Sequence, residues 1–329
     1  MTRLSRRAFL RRSVAAGAAG AVILSLGKEA LAADPATSPR GTLIDLTLCD
    51  GCSNDQTPRC VASCRREHQA RFPQPEKPIP PYWPRTGNED WSDKQDVIDR
   101  LTPYNWTHVQ RVDVDWQGRR QQLFVPRRCM HCDNPPCVSM CPYSAQSEKP
   151  EGPVVIDERI CLGGAKCRDV CAWGIPSRQA GVGLYMKTGG KYAGGGVMYK
   201  CDLCYDRVKV GGTPACVEAC PRKALVFGDK EAMRQEAHRR ASAIGGHIYG
   251  EKENGGTSTF YVSAVPFEAI HTALKEQAMD GKPGRPGMPV GVGNYMDTVN
   301  GMAMGMLVAP VAGLVAAGIA VYRTMKGEE

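Results

Sequence analysis

The sequence lacks a covalent haem signature and has few large side chains. No histidine directly follows the relevant Cys-x2-Cys pairs, because Cys132 is followed by Asp133 and Cys204 by Tyr205. A c-type haem is therefore excluded. Aromatic residues make up only 7% of the 329 residues, whereas glycine is abundant at 36. With so few large side chains, we expect inorganic groups to fill part of the interior.

Fifteen cysteines form four groups, one short of four complete sets of four. The groups are Cys49-x2-Cys52-x7-Cys60-x3-Cys64, Cys129-x2-Cys132-x4-Cys137-x3-Cys141, Cys161-x5-Cys167-x3-Cys171 and Cys201-x2-Cys204-x11-Cys216-x3-Cys220. Gly164 stands where the third group needs its missing cysteine. Similar spacing in bacterial ferredoxins serves [4Fe–4S] clusters, and the last cysteine of such a run ligates the other cluster of a pair. We therefore expect iron–sulfur clusters, one of them built differently from the rest.

Two other uses of cysteine fit less well. Zinc also binds Cys-x2-Cys pairs, but four groups that each end in Cys-x3-Cys favour clusters. Disulfides are typical of exported cysteine-rich chains, but an odd number of cysteines grouped like ligands disfavours them. His131, between two cysteines, is interpreted as a packing residue beside a cluster. The formal net charge of +8 is explained by the N-terminal bases and by bases that flank the cysteine groups, so no nucleic-acid partner is expected.

The N-terminus predicts export. The stretch Ser5-Arg6-Arg7-Ala8-Phe9-Leu10 precedes an apolar run and a small-residue site, so residues 1–32 are interpreted as a twin-arginine signal peptide cleaved after Ala32. The twin-arginine route moves folded proteins. Clusters built in the reducing cytoplasm can therefore be exported intact.

The C-terminus predicts a membrane anchor at residues 299–323. The 22 residues from Gly301 to Tyr322 are uncharged, which is long enough for a membrane-spanning helix. Arg323 and Lys326 follow, so the positive-inside rule places that end in the cytoplasm. Small residues recur every four positions from Gly301, a face suited to close helix packing. Both ends together predict a protein on the periplasmic face of the inner membrane.

The intervening chain is predicted to be one cluster domain, residues 33–280, with an insertion at 66–126 and a linker at 281–298. Thr107 to Val125 predicts a hairpin that turns at Gln117-Gly118. Asp229 is expected to cap a helix that runs to about Ala243. Further patterns predict strands at 43–48, 154–156, 224–228 and 257–265, a helix at 266–278 and a loop at 189–196.

Several stretches are specific enough to identify a family. They are Cys129-Met-His-Cys132 with Asn134-Pro-Pro-Cys137, Lys200-Cys-Asp-Leu-Cys204, Pro214-Ala-Cys-Val-Glu-Ala-Cys-Pro221, and Ile248-Tyr-Gly-Glu-Lys-Glu-Asn-Gly-Gly-Thr257 leading to Val265-Pro-Phe267. The chain resembles the four-cluster ferredoxin-like electron-transfer subunits of membrane oxidoreductases, above all those of periplasmic hydrogenase-2 and of the high-molecular-weight cytochrome c complex. The resemblance implies an α+β fold of duplicated bacterial-ferredoxin-like iron–sulfur domains with inserted loops, plus one C-terminal transmembrane helix.

The resemblance also implies which cysteines share a cluster, because groups one and four pair in this family, as do groups two and three. The implied sets are Cys49, Cys52, Cys60 and Cys220; Cys201, Cys204, Cys216 and Cys64; Cys129, Cys132, Cys137 and Cys171; and Cys161, Cys167 and Cys141. The first three sets imply three [4Fe–4S] clusters. The last lacks a ligand at Gly164, so we expect a [3Fe–4S] cluster, with a [4Fe–4S] cluster completed by water or by Asp169 as the alternative.

The expected function is electron transfer without substrate chemistry of its own. The implied partners are an integral membrane quinone-reactive subunit and either a catalytic subunit, of hydrogenase or molybdopterin type, or a multihaem cytochrome c. The competing hypothesis is an enzyme that uses the three-cysteine cluster as a Lewis acid. It would need acid–base groups around that cluster, and the sequence shows no such constellation. A redox sensor or a structural zinc protein is disfavoured by the number of cysteine groups.

Overall fold

A computed structural model describes residues 38–79, 88–188, 195–277 and 284–326. The predicted signal peptide, residues 1–32, lies outside this part of the chain, as does most of the predicted loop at 189–196. Strands and short helices alternate along the described residues. The strands are β1 (Arg40–Asp45), β2 (His108–Trp116), β3 (Arg119–Arg127), β4 (Gln146–Glu148), β5 (Val154–Ile156), β6 (Ser177–Gln179), β7 (Val197–Tyr199), β8 (Leu225–Asp229), β9 (His247–Tyr249) and β10 (Thr259–Ser263).

The described helices range from 4 to 28 residues. They are α1 (Arg59–His68), α2 (Pro136–Ser139), α3 (Lys166–Asp169), α4 (Tyr185–Thr188), α5 (Tyr205–Val208), α6 (Ala215–Glu218), α7 (Lys230–Ile244), α8 (Phe267–Glu276) and α9 (Val299–Lys326). Short 3₁₀ turns cover Gln69–Arg71, Glu253–Gly255 and Tyr295–Asp297.

The largest sheet has four strands in the order β8-β1-β10-β9, with β1 parallel to β10 and the two outer pairings antiparallel. Alternation along the strands divides its two faces. Leu43 and Phe260 pack under helix α7, whereas Ile44 and Tyr261 belong to the larger core that contains the cysteines. The sheet therefore separates a helical layer from the cysteine-bearing layer.

Two local predictions are confirmed. Strands β2 and β3 form an antiparallel hairpin that turns at Gln117 and Gly118, both with positive φ. Asp229 caps α7, because its Oδ1 accepts a hydrogen bond from the amide of Ala232 at 3.1 Å. The strand predicted at 43–48 lies earlier, in β1. It ends at Asp45, whose carboxylate accepts bonds from the amide and hydroxyl of Thr47 and turns the chain towards the first cysteine group.

The described part of residues 281–298 packs on the core. Met288 is fully buried, and the carbonyl of Pro289 accepts a hydrogen bond from the Tyr249 hydroxyl at 2.9 Å. The Asn294 side chain donates to the carbonyl oxygens of Asn134 at 2.7 Å and Asn254 at 3.1 Å. These contacts fix the point from which the last helix leaves the domain.

Helix α9 is the candidate membrane anchor. Among the described residues it is the one helix long and apolar enough to cross a bilayer, with a mean hydropathy of 2.0 over Val299–Ile319. Pro310 lies inside it without ending it. Gly301 has a role within the chain, because a Cβ atom there would lie 1.9 Å from the Tyr295 carbonyl oxygen. By contrast, no described atom lies within 4 Å of the position that a Cβ would take at Gly313.

Candidate iron–sulfur centre

The loop after the first cysteine of every group makes the same turn. The second residue after that cysteine has a left-handed backbone in all four groups: Gly51, His131, Gly163 and Leu203 have φ values of 67°, 51°, 67° and 60°. The conformation is unfavourable for His131 and Leu203, which carry a Cβ atom. In three groups the amide of this residue donates to the thiol of the first cysteine, for example from Leu203 to Cys201 Sγ at 3.4 Å. The turn therefore aims backbone N–H groups at a sulfur atom, as anion-binding nests do.

In every group the first cysteine of the closing Cys-x3-Cys pair lies on a helix. These cysteines are Cys60 on α1, Cys137 on α2, Cys167 on α3 and Cys216 on α6. Helix α1 packs against α6, and α2 packs against α3. The helices thus bring groups one and four together, and groups two and three together.

Two of the resulting sites come from groups one and four. Site A is defined by Cys49, Cys52, Cys60 and Cys220, which line one cavity near β8 and the hairpin. Site B is defined by Cys64, Cys201, Cys204 and Cys216, since the last three are the cysteines whose charges most raise the pKa of Cys64. Cys216 is also the thiol that most affects Cys60, so sites A and B adjoin.

The other two sites come from groups two and three. Site C is defined by Cys129, Cys132, Cys137 and Cys171, which line a second cavity together with Lys200 and Trp173. Site D is defined by Cys141, Cys161 and Cys167, whose thiols neighbour one another. The thiol of Cys167 also neighbours that of Cys137, so sites C and D adjoin.

Site D has three cysteines and an open position beside them. The amide of Ala145 lies 3.3 Å from Cys141 Sγ, and that of Met198 lies 3.4 Å from Cys161 Sγ. At Gly164, no described atom lies within 4 Å of the position a Cβ would take, and its φ lies outside the left-handed range. Asp169, the sequence-based candidate for a fourth ligand, is 55% exposed and lies 3.5 Å from the Lys166 ammonium group.

Burial and mutual proximity raise the pKa of most of these thiols. All fifteen cysteines are free of disulfides. Burial raises the pKa of Cys49 to about 11, despite the amide of Gly51. It raises that of Cys137 to about 12, although the charge of Lys200 opposes the rise. Without a cation these two thiols are therefore protonated at neutral pH, whereas a bound metal displaces their protons. Such a donor set suits iron.

Charged and aromatic side chains support site B. His68 is buried and stacks on Trp106, with ring centroids 4.3 Å apart. Its Nε2 lies 3.6 Å from Cys204 Sγ and 3.6 Å from an oxygen of Asp202. Arg71 pairs with Asp202 and lies over the Trp106 ring, at 4.9 Å from its centroid. Burial lowers the pKa of His68, against the charge of Asp202.

This support at site B was not predicted from the sequence, although one signal was present. His68 follows Cys64 by four residues, which is one turn of helix α1. A polar residue at that spacing lies on the same helix face as the cysteine. His131, expected to be a packing residue, is fully buried and accepts a hydrogen bond from the amide of Val154 through Nδ1, at 3.0 Å.

Comparisons with known proteins support iron–sulfur clusters in this chain. Two family profiles, each described as a 4Fe-4S dicluster domain, match residues 48–145 and 120–230. The hydrogenase-2 operon protein HybA of Escherichia coli O157:H7 is 30% identical over 272 residues, which cover 72% of this chain and 73% of HybA. The iron-sulfur subunit of the nitrate-inducible formate dehydrogenase of Escherichia coli K12 is 26% identical over 290 residues, covering 83% and 82% of the two chains.

A third relative has a catalytic complex in its name. This component of the anaerobic dimethyl sulfoxide reductase of Escherichia coli K12 is 30% identical over 202 residues, or 61% of this chain and 78% of the relative. The regions matched by the two profiles contain all four cysteine groups. The chain therefore belongs to the 4Fe–4S dicluster family of ferredoxin-like electron-transfer subunits of oxidoreductase complexes.

Proposed function

We propose that this chain relays electrons on the periplasmic face of the inner membrane. It would connect a catalytic subunit, of hydrogenase or molybdopterin type, or a multihaem cytochrome c to an integral membrane quinone-reactive subunit. The observation that carries the proposal is the gathering of fifteen cysteines into four sites that adjoin in pairs. Adjoining redox groups let an electron move in short steps, whereas a single metal site gives no path through the protein.

Sites A, B and C would each hold a [4Fe–4S] cluster through their four cysteines, and site D would hold a fourth cluster through three. When bound, the clusters supply one-electron redox chemistry over a potential range that the protein adjusts. The chain's own residues fit that task. Amides of the left-handed turns and of Ala145 and Met198 point at cysteine sulfurs, and hydrogen bonds to cluster sulfur are one means by which a protein sets potential.

At site D we propose a [3Fe–4S] cluster. The open position at Gly164 offers no ligand atom, and three thiols remain at the correct spacing. The alternative is a [4Fe–4S] cluster completed by water or by Asp169, and completion by Asp169 would require its carboxylate to leave the exposed pair with Lys166. A three-iron centre usually has a higher potential than a cubane, which suits electron exchange with a quinone.

The proposed partners and location follow from the two ends and from the relatives. The relatives carry the names of a hydrogenase operon and of formate dehydrogenase and dimethyl sulfoxide reductase, so a catalytic partner is proposed by analogy. The anchor rests on helix α9, and export rests on the twin-arginine signal. Sequencing the mature protein should give an N-terminus at Ala33, and any other start would contradict cleavage after Ala32.

Purification of the complex in mild detergent tests the function. Iron and acid-labile sulfide should be present, and an integral membrane subunit and a catalytic or cytochrome subunit should co-purify. The iron–sulfur signals should be reduced when the catalytic substrate or a quinol analogue is added. Protein that contains zinc in place of iron, or fully loaded protein that neither donor reduces, would contradict the proposal.

A further inference from the structure

Three basic side chains lie between sites B and C. Each belongs to the chain segment of one site and contacts the other site. Arg128 and His131 belong to the chain segment that forms site C. Even so, Arg128 Nη1 lies 3.8 Å and His131 Nε2 lies 3.7 Å from the sulfur of Cys201 in site B. Lys200 makes the converse contact: it directly precedes Cys201 of site B along the chain, but its side chain lines the cavity of site C. Basic side chains from both segments therefore lie at the boundary between the pair of sites A and B and the pair of sites C and D.

The two permanent cations at this boundary are buried. Arg128 is 1% and Lys200 is 5% exposed. The Lys200 ammonium group donates to the carbonyl oxygen of Val154 and, at 3.2 Å, to that of Cys201. Arg128 Nε and Nη2 have no hydrogen-bond partner in the described structure. A buried cation without an anion nearby is strongly destabilising, so the residues around these two must supply negative charge.

Cysteine sulfurs lie within reach, and they become anionic when a metal displaces their protons. Lys200 lines the cavity of site C together with Cys129 and Cys137, and its ammonium group also lies 3.2 Å from the carbonyl oxygen of Cys201 in site B. These cysteines belong to both sites. The Arg128 guanidinium group instead lies beside site B, with Nη1 3.8 Å from the sulfur of Cys201. The Lys200 side chain thus lies beside both sites, whereas the Arg128 side chain lies beside site B.

We propose that Lys200 raises the reduction potentials of the clusters at both site B and site C, and that Arg128 raises the potential at site B alone. This inference rests on the proposed function. Transfer between the two sites removes one electron from one cluster and adds it to the other, without a change of bond or proton. A positive charge shared by both sites stabilises the electron on either one. Lys200 therefore shifts the two potentials in the same direction, whereas Arg128 shifts that of site B alone.

The test is a redox titration at one pH, followed by EPR, on the complete detergent-purified protein. Lys200→Met and Lys200→Gln should each lower two of the cluster potentials, by about tenfold in the ratio of reduced to oxidised cluster, or about 59 mV for one electron. Arg128→Met should lower one potential only. Lys200→Arg keeps the positive charge and should leave both potentials at their wild-type values. Lys209→Met is the matched control, because Lys209 is 46% exposed and pairs with Asp206, and it should shift none.

The outcomes separate this inference from the proposed function. Wild-type protein without iron–sulfur signals would contradict the function itself. Loaded Lys200→Met and Lys200→Gln proteins with unchanged potentials, or with only one shifted, would overturn the shared role of Lys200. An equal shift in Lys209→Met would overturn it too. If the Met variant does not load iron, the Gln variant keeps a donor for the Val154 carbonyl and carries the same expectation.

Discussion

Gly164→Cys is expected to complete site D with a fourth thiol and to leave the loop unchanged. Gly164 follows the left-handed residue Gly163, and in the other three groups the residue at that position is a cysteine: Cys52, Cys132 or Cys204. The new thiol would therefore enter a backbone turn of the kind that already carries cysteine elsewhere in the chain. Cys132 is the nearest match, since its φ also lies outside the left-handed range.

The structure gives a magnitude for the change in stability. No described atom lies within 4 Å of a Cβ at Gly164, so no clash opposes the new side chain. Replacing a glycine whose φ suits other residues stabilises a protein by roughly 0.4–1 kcal/mol, through the unfolded state. At Gly163 the same substitution requires a left-handed residue, at about 1–2 kcal/mol, and places Cβ 2.5 Å from the Gly196 carbonyl oxygen. Substitution by cysteine is therefore expected to stabilise the protein at Gly164 and to destabilise it at Gly163.

The assay is iron analysis combined with EPR of the oxidised protein. Wild-type protein should show a three-iron signal, and Gly164→Cys should lose it and gain one iron atom per chain. The potential of that cluster should fall, because a fourth thiolate adds negative charge.

Gly164→Ala is the matched control, since it adds the same Cβ without a sulfur and should keep the three-iron signal. Gly163→Cys should lower the midpoint of denaturation. The reasoning would be refuted if fully loaded Gly164→Cys protein retained the wild-type signal and iron content. It would also be refuted if wild-type protein with full iron loading showed no three-iron signal.

Three further predictions concern the anchor, acid stability and the helical layer. Gly313→Leu, whose Cβ atom has no described atom within 4 Å, should reduce co-purification of the membrane partner while iron content stays unchanged; undiminished co-purification would exclude helix packing at that position. Burial raises the pKa of Glu89, but Arg168 and Arg178 outweigh it and hold the pKa below its ordinary value. The stability that the ionised Glu89 contributes is therefore present at neutral pH and is lost as pH falls below the ordinary pKa of a glutamate and through the lowered pKa of Glu89. In denaturation midpoints measured against pH, Glu89→Gln should lose less stability than the wild type as pH falls through this range. Asp229→Ala removes the cap of helix α7 and should cost about 1 kcal/mol in chemical denaturation, whereas an unchanged midpoint would show that the cap contributes nothing.

Local features were predictable because adjacent residues determine them. The hairpin turn needs two residues with positive φ, and Gln117-Gly118 between two strand-like runs satisfies it. The cap at Asp229 depends on one carboxylate and an amide three residues later. The cysteine groups were equally visible, since each contains its own turn and its own short helix.

Features that join distant segments were not predictable from spacing. The resemblance implied the sharing of cysteines between groups, but nothing local in the chain specifies that α1 packs against α6. The contact of Arg128 with site B and of Lys200 with site C likewise joins segments that are far apart in the chain. Basic residues flank the cysteine groups in the sequence. Only the fold distinguishes these two from exposed ones such as Lys209.

The backbone around Gly164 also bears on how site D differs from the others. His131 and Leu203 hold a left-handed conformation that is unfavourable for residues with a Cβ, and such strain persists only where the surroundings impose it. Gly163 has the same conformation, and its amide still donates to the thiol of Cys161. The turn is thus present although its second cysteine is absent. Site D therefore differs from site C in its ligands and not in the backbone of this turn, which is why one substitution at Gly164 should change the cluster without refolding the loop.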